Sequence, residues 1–372
     1  MSKKVVLWII VILVVIGAIW MIGGKKENVQ TGPVKIGALT ALSGNNAVYG
    51  VMMKAGIDLA VKEVNDQGGI NGNKVEVLYE DSQAQPAEAI SGYNNLKQQG
   101  VKIVSTIFSN VILALAPIAS QDGILLINSG ATAGDIPKQG DMVISTIPTS
   151  AKEVQPIAEY AAKKYKTAGI VYVDTQFGKD QNDAFRKYFE AAGGKIVSSE
   201  STPLDNKDFR TALTKIKSVN PEVIFIGTLA KETSLVVKQA REQGIKLPLV
   251  TTQTSITVSA LKDLGPVANG IILSGPRFDL NSTEAKFDTF RNAFKQANGK
   301  DPDYAATTYY ESTKMVMEAI GKCGDQDAVC VSKYLRGLKN YSGILGSITF
   351  EGTTVTKPID IKEYKDGSIN TI

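Results

Sequence analysis

Histidine is absent from all 372 residues. This removes the general base of Ser-His-Asp and Cys-His catalysis together with the commonest zinc ligand. Cysteine occurs only at Cys323 and Cys330, too few for a structural zinc site without histidine. Neither a G-x-G-x-x-G nor a P-loop pattern is present, so no nucleotide or dinucleotide cofactor is indicated. Glu80, Asp81, Asp174 and Glu311 are carboxylates without a spacing that serves acid-base chemistry. The chain is therefore not expected to be an enzyme, and no catalytic residue, metal or cofactor is assigned.

Excess charge is missing too. Lysine and arginine number 41 against 37 acids, but Lys3, Lys4, Lys25 and Lys26 flank one apolar segment that no acid precedes. Setting those four aside leaves 37 against 37. A neutral folded part without a basic stripe gives no reason to expect nucleic acid as a partner. What is present is a globular composition, 43% hydrophobic and 21% charged, with length for two domains.

Residues 5–24, VVLWIIVILVVIGAIWMIGG, carry no charge and are long enough as a helix to cross a bilayer, with Trp8 and Trp20 toward the ends. The run exceeds the apolar region of a signal peptide and lacks an A-x-A-like site and a lipid-accepting cysteine. It reads as an N-terminal transmembrane helix, with cleavage near Gly23 and Gly24 as the alternative. Residues 1–26 are thus anchor or signal and residues 27–33 a polar linker. Lysine pairs on both sides leave the orientation open.

From residue 34 the pattern alternates in α/β fashion. Strands are expected over 34–39, 75–79, 103–107, 124–127 and 143–147, with helices over 51–64, 86–98 and 111–121. A second series has strands at 167–173, 195–199, 223–226, 248–251 and 270–273. Its helices are 181–192, 209–217 capped by Asp208, 233–243 and 258–264. Three helices without strands follow, 284–296, 305–321 and 328–338, then a hairpin of 348–350 against 359–364. Helices and hairpin each need a sheet to join. The expected lobes are 34–148 with 277–345, and 149–276 with 346–372, the chain crossing near 148, 276 and 345.

Two strands, IVSTIF and the ILLI of GILLINSGAT, empty into small polar residues. Open α/β sheets bind ligands beyond such carboxyl ends. Ser109, Gly130 and Thr132 are therefore candidates for a ledge that holds a carboxylate; ordinary Ser/Gly-rich strand-to-helix loops are the alternative. In an exported domain Cys323 and Cys330, close together in CGDQDAVC, would form a small local disulfide, and a pair of free thiols is the alternative.

At LTALSGNNAVYG, GGINGNKVEVLYED, GILLINSGAT and VYVDTQFG the chain resembles the type I periplasmic binding proteins, specifically the leucine/isoleucine/valine-binding family of ABC importers, over about residues 34–365. The resemblance implies an α/β fold of two Rossmann-like lobes joined by three crossover segments. It also implies an amino-acid-like or amide ligand closed between the lobes, a monomer outside the membrane, and ABC permease subunits as partners. A membrane-anchored sensory receptor of the same fold is the alternative. The family's carboxylate-binding serine falls on Ser109 and its Ala/Gly-x-Thr ledge on Gly130 and Thr132. Tyr49 and Phe177 fall on the aromatics that cover the ligand's apolar part. Where the branched-chain amino-acid binders have an acid for the ligand ammonium, this chain has Gln253 or Thr254. Asp174 could supply that carboxylate or cap the helix after it. Leu229 replaces another ligand-facing aromatic, which would widen the pocket.

Overall fold

The structure, a computed structural model, describes residues 32–372, so the apolar segment 5–24 lies outside the described residues. Among those described, no helix is long and apolar enough to cross a membrane. The chain begins with β1 (Val34–Thr40), α1 (Ala47–Asp66), β2 (Val75–Asp81), α2 (Pro86–Gln98), β3 (Ile103–Thr106), α3 (Ser109–Asp122), β4 (Leu125–Asn128) and β5 (Val143–Ser145). These strands form a parallel sheet in the order β2-β1-β3-β4-β5. Every residue of β3, β4 and β5 is buried, as helices on both faces require of a parallel sheet.

The second series is α4 (Ser150–Lys164), β6 (Thr167–Val173), α5 (Gln176–Ala191), β7 (Lys195–Thr202), α6 (Arg210–Ser218), β8 (Val223–Gly227), α7 (Ala230–Glu242), β9 (Leu249–Thr252), α8 (Val258–Leu264) and β10 (Ile271–Pro276). Its parallel strands repeat the first order as β7-β6-β8-β9-β10. Helices α9 (Ala285–Asn298), α10 (Tyr304–Cys323) and α11 (Ala328–Gly337) return to the first sheet, and α10 lies along α1. The approach is close: a Cβ on Gly56 of α1 would stand 2.1 Å from the Ala306 carbonyl oxygen.

The structure differs from the sequence expectation at α4, among the C-terminal strands and at the start of α6. Helix α4 was not anticipated. Its buried stripe Val154, Ile157, Ala158, Ala161 and Ala162 has helical spacing, but Pro156 sits inside it and reads locally as a helix breaker. The expected hairpin does not form. Instead β12 (Gly346–Glu351) pairs antiparallel with β11 (Tyr341–Gly343) and with β13 (Thr354–Thr356), across a tight turn in which Gly352 takes φ +64°. Ile348, Phe350 and Val355 bury in the core of the first sheet. Strand β14 (Ile359–Lys365) pairs antiparallel with β10, and β15 (Ser368–Thr371) with β14. Asp208 accepts from Arg210 N–H at 3.0 Å, but it lies one residue before the N-cap, Phe209.

Buried charge ties the crossing segments. Lys357 donates to Glu311 of α10 at 2.9 Å, with side chains only 2% and 4% exposed, and the other Glu311 oxygen accepts from Leu345 N–H at 3.2 Å. Lys362 of β14 donates to the Gln253 side chain at 2.5 Å and to the Pro276 carbonyl at 2.6 Å.

Cys323 and Cys330 are disulfide-bonded, with Cα atoms 6.0 Å apart, linking the end of α10 to the start of α11. The closed loop is small, so reduction should lower stability by at most about 3 kcal/mol. Denaturant titration with and without reductant checks this, with Cys330→Ser as the reductant-insensitive control.

Candidate functional site

Both lobes have the strand order in which the chain reverses direction between the first and third strands, leaving a crevice at their carboxyl ends. The two crevices face each other. One narrow cavity, about 30 Å³ in free volume, has walls from loops after β1, β3, β4, β6, β8 and β9.

The first lobe contributes Tyr49, Phe108, Ser109 and Gly130, and the second Phe177, Leu229 and Thr254. Tyr49 and Phe177 are placed by the same device. Each precedes a glycine where a Cβ would collide with the carbonyl oxygen of an earlier residue: 1.7 Å to Ala41 at Gly50, and 2.0 Å to Val173 at Gly178. The backbone can fold tightly there only because glycine has no side chain. Tyr49 Oη accepts from Ala230 N–H at 2.9 Å and donates to the Thr254 carbonyl at 3.2 Å, joining the lobes. Burial holds its phenol well above the usual range.

Phe108 turns β3 into α3 with φ +74°, a region non-glycine residues occupy at a cost of order 1–3 kcal/mol. Its ring meets Tyr49 edge-on at 6.0 Å. Strain of this kind concentrates at binding sites. Ser109 follows as the first residue of α3, whose N-terminus has no side-chain cap. Its hydroxyl oxygen accepts from Ala133 N–H at 3.3 Å, bringing helix and loop together.

The loop's own donors are committed elsewhere. Asn128 accepts from Gly130 N–H at 3.1 Å and Ala131 N–H at 2.7 Å, and donates to the Ala131 carbonyl and Ser145. Gly130 is therefore a close-approach position, with Ile107 and the Tyr309 hydroxyl within 2.9 Å of where a Cβ would be.

Of the residues singled out from sequence, Tyr49, Ser109, Gly130 and Phe177 meet at the cavity, with Leu229 and Thr254. Thr132, Asp174 and Gln253 do not line it. The Thr132 hydroxyl bonds Ser150 at 2.7 Å where the chain first crosses. Asp174 is half exposed and ion-paired to Lys179 at 2.9 Å, while its neighbour Thr175 caps α5 and lines the cavity. Gln253 is buried against Lys362.

Glu153 of α4 is the residue that sequence reasoning missed. It is fully buried, accepts from Thr254 N–H at 3.1 Å and from the Thr254 hydroxyl at 2.6 Å, and so fixes a wall residue from behind. Burial pushes its carboxyl up to about 7 despite the Thr254 bonds and the Lys362 charge. Its position on the apolar stripe of α4 was the available signal.

Further contacts close the lobes. Asp180 accepts from Gly134 N–H at 2.7 Å, Lys231 donates to Asn45 at 2.7 Å, and Asp303 accepts from Val258 N–H at 2.9 Å. Among the described residues no group of acids and cysteines is placed to hold a metal ion.

A sequence profile described as "Periplasmic binding protein" matches residues 33–367. A "Leu/Ile/Val-binding protein homolog 1" of Brucella melitensis is 28% identical over 326 residues, 86% of each chain. A branched-chain amino acid transporter substrate-binding protein of Streptococcus pneumoniae, solved in complex with isoleucine, superposes with TM-score 0.83 at 25% identity, covering 91% of this chain and 99% of that one. An ABC-transporter solute-binding protein of R. palustris, solved with 4-hydroxybenzoate, gives TM-score 0.85 at 23% identity over 91% and 95%.

Proposed function

Because the chain belongs to the periplasmic binding protein family, we propose that it is the extracytoplasmic solute-binding subunit of an ABC importer, capturing a small amphipathic ligand and delivering it to membrane permease subunits. The observation that carries this reading is the cavity built from strand ends of both lobes, with Tyr49 bonded across it. A ligand touching both walls favours the closed arrangement, which a permease then recognises. The Leu/Ile/Val-binding relatives and the isoleucine complex support a ligand of the branched-chain amino-acid class, and the 4-hydroxybenzoate complex supports a small carboxylic acid. Residues 5–24 anchor the domain to the membrane in this reading. The lobes divide near 148 and 276, and the third crossing is taken at 356–359, because β12 and β13 pack with the first sheet.

Tyr49, Phe108 and Phe177 cover the ligand's apolar part, and Ser109 with the α3 N-terminus holds its polar end. Ser109→Ala should weaken binding by about 1.5–3 kcal/mol, the range for a hydrogen bond to a charged group, and lower stability by no more than about 1 kcal/mol. Calorimetry with a panel of amino acids, carboxylates and amides, alongside small-angle scattering for compaction, tests the reading. If no member binds and none compacts the protein, solute capture is refuted.

A further inference from the structure

We propose that the ligand is a monocarboxylic acid with an uncharged branched or aromatic body, without the ammonium group of an amino acid. The inference rests on the solute-binding reading above and concerns only the chemistry of what is bound.

The cavity wall carries no charged side chain: its polar members are Ser109, Asn110, Thr175, Thr254 and the Tyr49 hydroxyl, which is already bonded to Ala230 and Thr254, and the rest is apolar or glycine. An ammonium closed into such a wall would lose its water without gaining an anionic partner, a heavy penalty for a charge. The acids close to the wall are engaged elsewhere or lie out at the surface, as the exposed Asp205 beside Leu204 does. Asp174 pairs with Lys179 at the surface, Asp180 accepts from Gly134 and Gln176, and Glu153 has both oxygens on Thr254. Glu232 accepts from the Leu229 and Asp205 N–H groups, and Asp303 from Val258 N–H. Burial disfavours the ionised form of Glu153, Glu232 and Asp303, which makes them poorer cation partners still.

The opposite charge is provided for. Helix α3 starts at the cavity with an uncapped N-terminus, whose amide groups and dipole favour an anion. A second feature points the same way. Ser109 is only 4% exposed, and its oxygen accepts one bond from Ala133, so its O–H proton has no acceptor among the described residues. A ligand carboxylate on that side would take it. Tyr49, Phe108, Phe177 and Leu229 then surround the body, and the far wall offers an ammonium only the neutral oxygens of Thr175 and Thr254, with no anion.

Matched pairs isolate the ammonium: leucine against 4-methylpentanoate, and phenylalanine against 3-phenylpropanoate, titrated calorimetrically into the full chain with Ser109→Ala in parallel. The expected result is that at least one deaminated acid binds about tenfold or more tighter than its amino acid, and that Ser109→Ala erases most of that affinity. An amino acid binding tighter than its deaminated partner in either pair overturns the proposal while leaving solute capture intact. If no carboxylate, amide or amino acid of the wider panel binds, both fall together.

Discussion

Replacing Lys357 by methionine should destabilise the folded chain by about 3–5 kcal/mol, the range for leaving a buried charge without its partner. The ammonium and the Glu311 carboxylate are 2.9 Å apart and almost inaccessible to water. With the ammonium gone, Glu311 retains only Leu345 N–H, so it must either remain an unpaired buried anion or take up a proton. Methionine approximates the lysine stem, so the loss reports charge rather than volume. Glu311→Gln in the same chain should recover much of it, because the amide oxygen can still accept from Leu345. Urea unfolding of the two single variants and the double variant reads the coupling. Additive losses would show that the pair does not hold the third crossing to α10.

Glu153→Gln should change how stability depends on pH. The Glu153 carboxyl lies near 7 in the fold against an ordinary 4.5, so folding favours its neutral form. Its contribution is fully present below about pH 4.5 and is lost as pH rises through 7, amounting to about 3 kcal/mol across that window. Glu232 is raised to about 7 by burial as well and adds a second fall of the same sign. Lys362 works at the other end. Burial lowers its ammonium to about 8 from 10.5, so the penalty for keeping it charged is relieved as pH climbs above 8. Wild-type stability should therefore pass through a minimum between about pH 7 and 8. Glutamine imitates the protonated acid toward Thr254, so the variant should lose roughly half of the decline between pH 5 and 7, the Glu232 share remaining. Removing the anion also pushes Lys362 lower still, since Glu153 is one of the charges that supports its protonated form. Denaturation midpoints at pH 5 and 7.5 for both proteins decide the matter, and equal declines would place the titrating group elsewhere.

The parallel cores were legible because buried strands are apolar runs. IVSTIF and LINSG needed only a local reading, and the observed β3 and β4 fall within a residue of it. Pairing was less visible. No local pattern shows that β14 lies beside β10, which precedes it by a whole returning excursion through α9, α10 and α11. At the site, Ser109 was recoverable because it follows a strand that ends at a chain reversal, whereas Tyr49 was named only through the family resemblance. The cavity takes Thr175 and Thr254 rather than their preceding neighbours Asp174 and Gln253. At a strand end, one residue of displacement turns a side chain to the other face, and sequence does not locate strand ends that finely. Glu153 depended on a helix hidden by Pro156.

The antiparallel place of β14 has a consequence for the order in which the molecule can be made. Strands β6 to β10 emerge from synthesis as a contiguous block, yet β10 keeps one bare edge until residues 359–365 arrive. Everything from α9 to β13 must pass first. Throughout that interval the half-built sheet presents unpaired amides and carbonyls, a template for joining another chain. An exported protein wired this way benefits from staying unfolded until its last strands are across, because any lobe that condenses early does so with its seam open.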